Sequence, residues 1–98
     1  MDDPVLLTGA SGQVGRAIRS YVGDRYEFRL LDREPPAETV DHEFVMADVT
    51  DGAAVREAMK GVGAVIHLAG DPRPEAAWDS VLTNNIDGTQ TVFEAAAA

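Results

Sequence analysis

Three glycines near the start of the chain are spaced so that they could bind a phosphate group. Gly9, Gly12 and Gly15 occur in the segment TGASGQVG, directly after a short apolar run. The first would permit a tight turn, the second would let the backbone approach a pyrophosphate, and the third would let a helix pack closely on a strand. The free N–H groups at the start of that helix, near Gln13 and Val14, would donate to the phosphates. The pattern therefore predicts binding of a dinucleotide.

An acidic residue stands where the adenosine ribose of such a ligand would lie. Asp32 follows Gly12 by twenty residues, at the end of a second apolar run, and this spacing is typical of dinucleotide-binding folds. A carboxylate there accepts hydrogen bonds from a ribose diol and repels a 2′-phosphate, which favours NAD over NADP. Arg33 could instead receive that phosphate or be a solvated loop cation, so NADP stays an alternative. A P-loop is excluded because Arg and Ala follow Gly15 instead of Lys and Ser or Thr.

Hydrophobic periodicity predicts that strands and helices alternate along the chain. Short apolar or alternating runs predict strands over residues 5–8, 26–31, 44–46 and 65–69. Apolar residues three or four apart predict helices over residues 12–22 and 51–62, and from residue 78 to the end of the chain. This alternation implies an α/β fold with a doubly wound parallel sheet, because each crossover passes over one face of the sheet. We expect residues 1–98 to be one NAD(P)-binding Rossmann domain with strand order 3-2-1-4, forming the first half of a larger sheet.

Composition and charge exclude several classes of protein. Eight Lys and Arg residues against 17 Asp and Glu residues leave a net charge of −9, which disfavours nucleic acid as a partner because that binding requires clustered cations. No apolar run is long enough to span a membrane and the sequence begins without a secretory pattern, so we expect a cytoplasmic protein with no membrane partner. The lack of cysteine excludes thiolate metal sites, and we expect no metal. The dense anionic surface favours a halophilic source.

Taken together, the motifs resemble the extended short-chain dehydrogenase/reductase superfamily, the NAD-dependent epimerase/dehydratase family. The resemblance rests on the segments TGASGQVG, LLDR, MADVTD, VIHLAG and NNIDGT. It implies that Gly12, Gln13 and Val14 hold the pyrophosphate of the cofactor. It also implies that Asp32 and Arg33 meet the adenosine ribose.

The same resemblance assigns roles to residues that follow the third and fourth strands. Asp48 and Val49 would border the adenine, although Asp48 could be only a turn former or a helix cap. The residues that would line the path toward the nicotinamide ribose are Leu68, Ala69 and Gly70. Asn85 would approach the nicotinamide side.

Within the superfamily, the run from Gly70 through Trp78 into NNIDGTQTVFEAA looks most like uronate dehydrogenases and their sugar-phosphate-oxidising relatives. That likeness implies a sugar-type substrate, an aldose or its derivative, oxidised at C1. In those enzymes the loop after the fourth strand carries a small hydroxyl residue near the sugar. This chain has Asp71 and Pro72 there, which is a departure from the pattern of the uronate enzymes.

The acid–base pair that the superfamily uses, Tyr-x-x-x-Lys, does not occur in the sequence. Tyr21 is followed four residues later by Arg25, and Tyr26 is followed by Leu30. We therefore expect no catalytic residue within residues 1–98. The catalytic segment and the substrate domain would lie elsewhere in a parent enzyme, which could be a homo-oligomer.

Three functions are compatible with these features. The favoured one is the cofactor-binding part of an NAD-dependent oxidoreductase that acts on a sugar or sugar derivative. The first alternative is an NAD-dependent nucleotide-sugar epimerase or dehydratase. The second is a non-catalytic NAD(P)-sensing module, which would keep the glycine motif without the catalytic pair. A purely structural α/β fragment would leave the spacing of the glycines and Asp32 unexplained.

Four further positions are interpreted in terms of packing and capping. His67 lies inside an apolar strand and is expected to be a hydrogen-bonded core residue, and Trp78 is expected to pack in the core. Gly88 inside a helix costs about 1 kcal/mol relative to alanine, which indicates close packing against another segment, one expected to lie outside residues 1–98. Either Thr50 or Asp51 is expected to cap the second helix.

Overall fold

The structure, a computed structural model, describes residues 3–37 and 40–97. Its strands form one parallel sheet in the order β3-β2-β1-β4, which confirms the predicted α/β fold. The strands are β1 (Val5–Thr8), β2 (Phe28–Asp32), β3 (Glu43–Met46) and β4 (Ala64–His67). In the register of the sheet, Val5 of β1 pairs with Phe28 on one side and with Ala64 on the other. All carboxyl ends of the strands therefore meet at one edge.

Helices connect β1 with β2 and β3 with β4, and helices cover both faces of the sheet. They are α1 (Gln13–Val22), a 3₁₀ turn (Gly23–Arg25), α2 (Gly52–Ala58), the single turn α3 (Trp78–Ser80), a π-helical segment (Val81–Asp87) and α4 (Gly88–Ala97). The last three run into one another without a break. Ala98, to which the last helix is predicted to extend, lies outside the described residues. Within the described part of the chain, no helix is long and apolar enough to cross a membrane.

Two hydrophobic clusters lie on opposite faces of the sheet. Leu6 and Leu31 pack with helices α2 and α4 through residues such as Val92, whereas Leu7 and Leu30 pack on the face covered by α1. Consecutive residues of each strand thus enter different clusters, as the alternation of side chains along a strand requires. Burial on both faces explains why the strands are continuous apolar runs in the sequence.

Element boundaries differ from the predictions at several points. β2 begins at Phe28 and not at 26, and β4 covers residues 64–67. The second helix ends at Ala58, leaving Val62 outside it, because i→i+3 hydrogen bonds tighten the chain beyond Val55. Asp51, not Thr50, caps this helix by accepting a hydrogen bond of 3.2 Å from a backbone N–H.

The close packing expected of Gly88 is present, but its partner is Val49 of this chain and not a further segment; the core packing expected of Trp78 is absent. A Cβ atom placed on Gly88 would lie 2.8 Å from Val49 Cγ2, so the helix passes directly over Val49 in the loop between β3 and α2. The Trp78 side chain is 65% exposed, and the expectation that it packs in the core is wrong.

Replacing Gly88 by alanine is expected to destabilise the protein, although alanine normally stabilises a helix. The added methyl group would overlap Val49, and such overpacking costs about 1–3 kcal/mol. Urea unfolding of Gly88→Ala, Val49→Ala and the double variant measures the effect. The double variant should be more stable than the sum of the single changes predicts, and simple additivity would contradict the packing argument.

Candidate nucleotide-binding site

The loops that follow the strands enclose a cleft of about 700 Å³ at the carboxyl edge of the sheet. The chain leaves β1 for β2 on one side, whereas β4 lies on the other, so the cleft sits where the strand order reverses. Ligands of open α/β sheets bind at such a point. The cleft brings together every residue that the sequence proposed for cofactor binding: Gly9, Gly12, Gln13, Val14, Gly15, Asp32, Arg33, Asp48, Val49, Leu68, Ala69, Gly70 and Asn85.

Several other residues line the cleft that no sequence motif assigned to the ligand. These are Ser11, Leu31, Glu34, His67, Asp71, Pro72, Asn84 and Thr89. Ser11 and Glu34 are neighbours in sequence of assigned residues, and their place in the cleft could have been predicted from that alone. Thr89 carried no comparable signal because its contribution depends on a contact with a distant strand. Within the described residues, no group of three or more His, Asp or Glu could hold a metal ion.

The glycine loop brings the backbone of β1, the start of α1 and the end of β4 close together. Gly9 has a φ of +69°, and a Cβ atom there would lie 2.8 Å from Ala69 N. At Gly15 a Cβ atom would lie 2.7 Å from the carbonyl oxygens of residues 9 and 10. Only glycine fits both positions without displacing backbone atoms.

The N-terminus of α1 faces the cleft without a capping side chain. Gly12 is its N-cap residue and no side chain hydrogen-bonds to the first turn, which also contains no acidic residue. The first N–H groups of a helix have no partner within the helix and carry a partial positive charge. This end of α1 can therefore bind an anionic group.

The Asp32 carboxylate is fixed at the end of β2 by backbone donors. Its Oδ2 accepts a hydrogen bond of 3.0 Å from Ser11 N, and its Oδ1 accepts one of 3.0 Å from Glu34 N. The Ser11 hydroxyl also donates to the Glu34 carbonyl at 2.8 Å. An ionised carboxylate can accept about four hydrogen bonds. Asp32 thus keeps acceptor capacity for a diol.

Asp48 and Arg33 lie near each other, and both line the cleft. Asp48 Oδ1 accepts hydrogen bonds from Thr50 N at 2.9 Å and from Thr50 Oγ1 at 2.8 Å. These bonds, with the nearby Arg33 charge, hold the pKa of Asp48 below its ordinary value. Arg33 Nη1 lies 3.9 Å from Asp48 Oδ2. Asp48 therefore forms a turn and also lines the cleft.

His67 is hydrogen-bonded through both ring nitrogens, as its place in the strand predicted. Nδ1 lies 2.6 Å from Thr8 Oγ1, and Nε2 lies 3.1 Å from Thr89 Oγ1. Its ring is half-buried, and burial lowers the pKa of His67 below the ordinary value of 6.5. The same ring borders the cleft, which the sequence analysis did not predict.

The other end of the cleft is closed by the loop after β4, which is held by the π-helical segment. Asn85 Oδ1 accepts a hydrogen bond of 2.6 Å from Asp71 N, and Asn85 Nδ2 donates one of 3.1 Å to the Asp71 carbonyl. The Asp71 carboxylate accepts hydrogen bonds from Arg73 and Ser80. These bonds, that of Arg73 first, hold the pKa of Asp71 well below its usual range. The Asn85 amide therefore positions this loop.

Acidification below pH 6.5 is expected to destabilise the protein through His67. Because its pKa is lower in the folded chain than in the unfolded chain, the unfolded chain binds more protons between the two values. Stability therefore rises with pH in that window, by at most about 1.4 kcal/mol per pH unit. Urea unfolding at pH 5 and 7 should show a smaller loss for His67→Gln than for the parent. An equal loss would contradict the assignment.

Sheet order and cleft position together define a Rossmann-type α/β protein. Residues 5–98 match the NAD dependent epimerase/dehydratase family, and the chain belongs to this family. It is 65% identical to an NAD-dependent glucose-6-phosphate dehydrogenase from Haloferax volcanii, covering 98% of this chain and 39% of that protein. It is 43% identical to an L-arabinose 1-dehydrogenase (NAD(P)+) of the same organism, over 96% of this chain and 36% of that protein.

Among solved structures, a uronate dehydrogenase variant from Agrobacterium tumefaciens complexed with NAD superimposes with a TM-score of 0.84 at 32% identity. That match covers 96% of this chain and 36% of the uronate dehydrogenase. The chain thus spans between one third and two fifths of the length of these relatives.

Proposed function

We propose that this chain is the NAD-binding part of an NAD-dependent dehydrogenase that oxidises a sugar. The observation that carries the proposal is the pairing, in one cleft, of the uncapped N-terminus of α1 with the carboxylate of Asp32. These groups match the pyrophosphate and the adenosine ribose of a dinucleotide. The names of the relatives, which include NAD-dependent glucose-6-phosphate dehydrogenase, support the same cofactor.

In this proposal the adenosine half of NAD lies between α1 and the loops after β2 and β3. Gly12, Gln13 and Val14 donate backbone hydrogen bonds to the pyrophosphate, while Gly9 and Gly15 give the loop its shape. Asp32 accepts from the ribose hydroxyls, and Asp48 and Val49 border the adenine. A 2′-phosphate would face the Asp32 carboxylate. The cation nearest to that carboxylate in sequence, Arg33, lies beside Asp48, so NAD is favoured over NADP.

The nicotinamide half would extend toward the loop after β4. Leu68, Ala69 and Gly70 line the path to its ribose, and Asn85 holds the loop that begins at Gly70. Bound NAD would supply the hydride acceptor for oxidation of the substrate. The residues of this chain bind and orient the cofactor, and the sequence contains no Tyr-x-x-x-Lys pair that would move a proton.

The proposed substrate is an aldose or aldose derivative that is oxidised at C1. The relatives are named for glucose 6-phosphate, L-arabinose and uronate, which share an oxidisable C1. Asp71 and Pro72 occupy the loop at the nicotinamide end of the cleft, and the Asp71 carboxylate is bound to Arg73 and Ser80. Because uronate dehydrogenases carry a small hydroxyl residue in this loop and this chain has Asp71 and Pro72 there, we favour an aldose or sugar phosphate over a uronate.

NADH formation by the full-length gene product tests this function. We expect absorbance at about 340 nm to increase with glucose 6-phosphate or another aldose and NAD, and to increase less with NADP. Epimerisation of a nucleotide sugar without net NADH would establish the epimerase alternative instead. NAD binding without turnover of any sugar would favour the sensing module.

The acidic surface is part of the proposal: we propose a cytoplasmic protein of a halophilic source. The chain has 17 acidic residues and only eight basic ones. The excess negative charges repel one another, and concentrated salt screens that repulsion. Two of the relatives come from Haloferax volcanii. The urea midpoint is therefore expected to rise between low and molar KCl. An unchanged midpoint would refute the halophilic assignment.

A further inference from the structure

A chain of hydrogen bonds under the cleft connects the glycine loop with the π-helical segment. We propose that the side chains of Thr8, His67 and Thr89 form a positioning device that holds the nicotinamide end of the cleft in place. The inference rests on the proposed function, because the position of that wall matters for binding only if NAD occupies the cleft. The three side chains come from β1, β4 and α4, which are separate in sequence.

The direction of each hydrogen bond follows from which lone pairs and which proton of the Thr8 hydroxyl are already engaged. Thr8 Oγ1 accepts a hydrogen bond of 3.0 Å from Leu68 N and one of 3.2 Å from Ala69 N. The Leu68 N–H is shared with the Thr8 backbone carbonyl at 3.2 Å; a hydroxyl oxygen has two lone pairs, and these two N–H groups engage both. The Thr8 hydroxyl proton can then only be donated, and His67 Nδ1 lies 2.6 Å from its oxygen. His67 Nδ1 is therefore an acceptor without a proton.

The directions of the remaining hydrogen bonds in this series follow from the first one. Because Nδ1 of a neutral His67 has no proton, Nε2 carries it and donates to Thr89 Oγ1 at 3.1 Å. The Thr89 hydroxyl in turn donates to the backbone carbonyl oxygen of Asn85. The three bonds from Thr8 through His67 and Thr89 to the Asn85 backbone all run from β1 toward the helix, and only the Nε2–H tautomer of His67 satisfies them.

Each end of this series of hydrogen bonds reaches a wall of the cleft. Thr8 immediately precedes Gly9, and its oxygen also binds the backbone of residues 68 and 69. At the far end, Asn85 belongs to the π-helical segment and its amide holds the backbone of Asp71. Helices of this type are rare and often occur at functional sites. The hydroxyl of Thr89 thus helps to fix the helical turn that positions the loop after β4.

A matched pair of substitutions separates this role from ordinary helix stabilisation. Thr89 and Thr91 both donate to the carbonyl four residues earlier in the same helix, the second at 2.9 Å to Asp87. Of these two threonines, in the part of the chain that the structure describes, only Thr89 is hydrogen-bonded to His67. Replacing either residue by valine removes a hydroxyl group with little change in shape, and Thr89→Ser restores it.

The test combines calorimetric titration of NAD with the nitrogen and proton NMR spectrum of His67 in the full 98-residue chain. Thr89→Val is expected to weaken NAD binding roughly three- to tenfold, the range for one lost hydrogen bond, and to shift the Nε2–H signal. Thr91→Val and Thr89→Ser should bind like the parent. The parent spectrum should show one tautomer with the proton on Nε2.

Equal NAD affinity in all four proteins would overturn the positioning role and leave the proposed function intact. A proton on Nδ1 in the parent would also overturn it, because the bonds could not then run in the stated direction. Failure of the parent itself to bind NAD would overturn the proposed function, and the positioning inference with it.

Discussion

Replacement of Asp32 by alanine is expected to abolish most of the preference for NAD over NADP. The carboxylate is held by backbone N–H groups of Ser11 and Glu34 at the end of β2, where we propose that it accepts from the ribose diol. A hydrogen bond to a charged group contributes about 1.5–3 kcal/mol. The ratio of the two dissociation constants should therefore fall roughly 10- to 100-fold, as measured by calorimetric titration with each nucleotide.

Glu34→Gln is the control for this experiment. It removes one negative charge from the same loop, but the Glu34 contacts that hold Asp32 are made by its backbone. A general reduction of charge would shift both variants alike, whereas a specific contact with the diol affects only Asp32→Ala. A parent protein that binds NADP as tightly as NAD would contradict the assignment of Asp32.

Replacement of Gly9 by alanine is expected to abolish NAD binding and to lower stability by about 2–5 kcal/mol. The positive φ of +69° costs a residue with a side chain about 1–2 kcal/mol, and the overlap with the backbone of Leu68 and Ala69 adds about 1–3 kcal/mol. Relief of this overlap requires β1 and β4 to move apart at the base of the cleft. Urea unfolding and an NAD titration measure the two effects.

Gly23 offers a matched control for Gly9. It has a similar φ of +62°, but a Cβ atom there would meet no other atom within 4 Å. Gly23→Ala should therefore cost only the backbone strain, about 1–2 kcal/mol, and should bind NAD like the parent. Equal destabilisation by the two substitutions would show that the close approach at Gly9 contributes nothing.

Strand order and the location of the cleft could be predicted from the sequence because local patterns determine them. The apolar run Val5–Thr8 is short and precedes glycines, which distinguishes a buried strand from a helix. Alternation with helices then leaves few parallel arrangements. Because the candidate residues follow strand ends, the topology alone brings them to the same edge of the sheet.

The details of the nicotinamide end could not be predicted, because they depend on contacts between distant segments. Leu82 and Ile86 keep a spacing that suits an ordinary α-helix, and nothing in it indicates the π-helical segment Val81–Asp87. Asn85 lines the cleft, and nothing in the sequence indicates that its amide also pairs with the backbone of Asp71. Such a pairing depends on two loops meeting in space.

The misplacement of Trp78 has a related cause. Its size and apolar character favour the core, but they do not specify which side of the helix contacts the sheet. In the structure Val92 and Ala95 face the core, while Trp78 is exposed together with Phe93.

The binding of NAD in this cleft is tested most directly by an amide NMR titration of the chain with NAD. We expect the largest shifts at Gly12, Gln13 and Val14, with further shifts at Asp32 and in the loop that begins at Gly70. Shifts confined to other surfaces, or no shifts at millimolar NAD, would contradict the account.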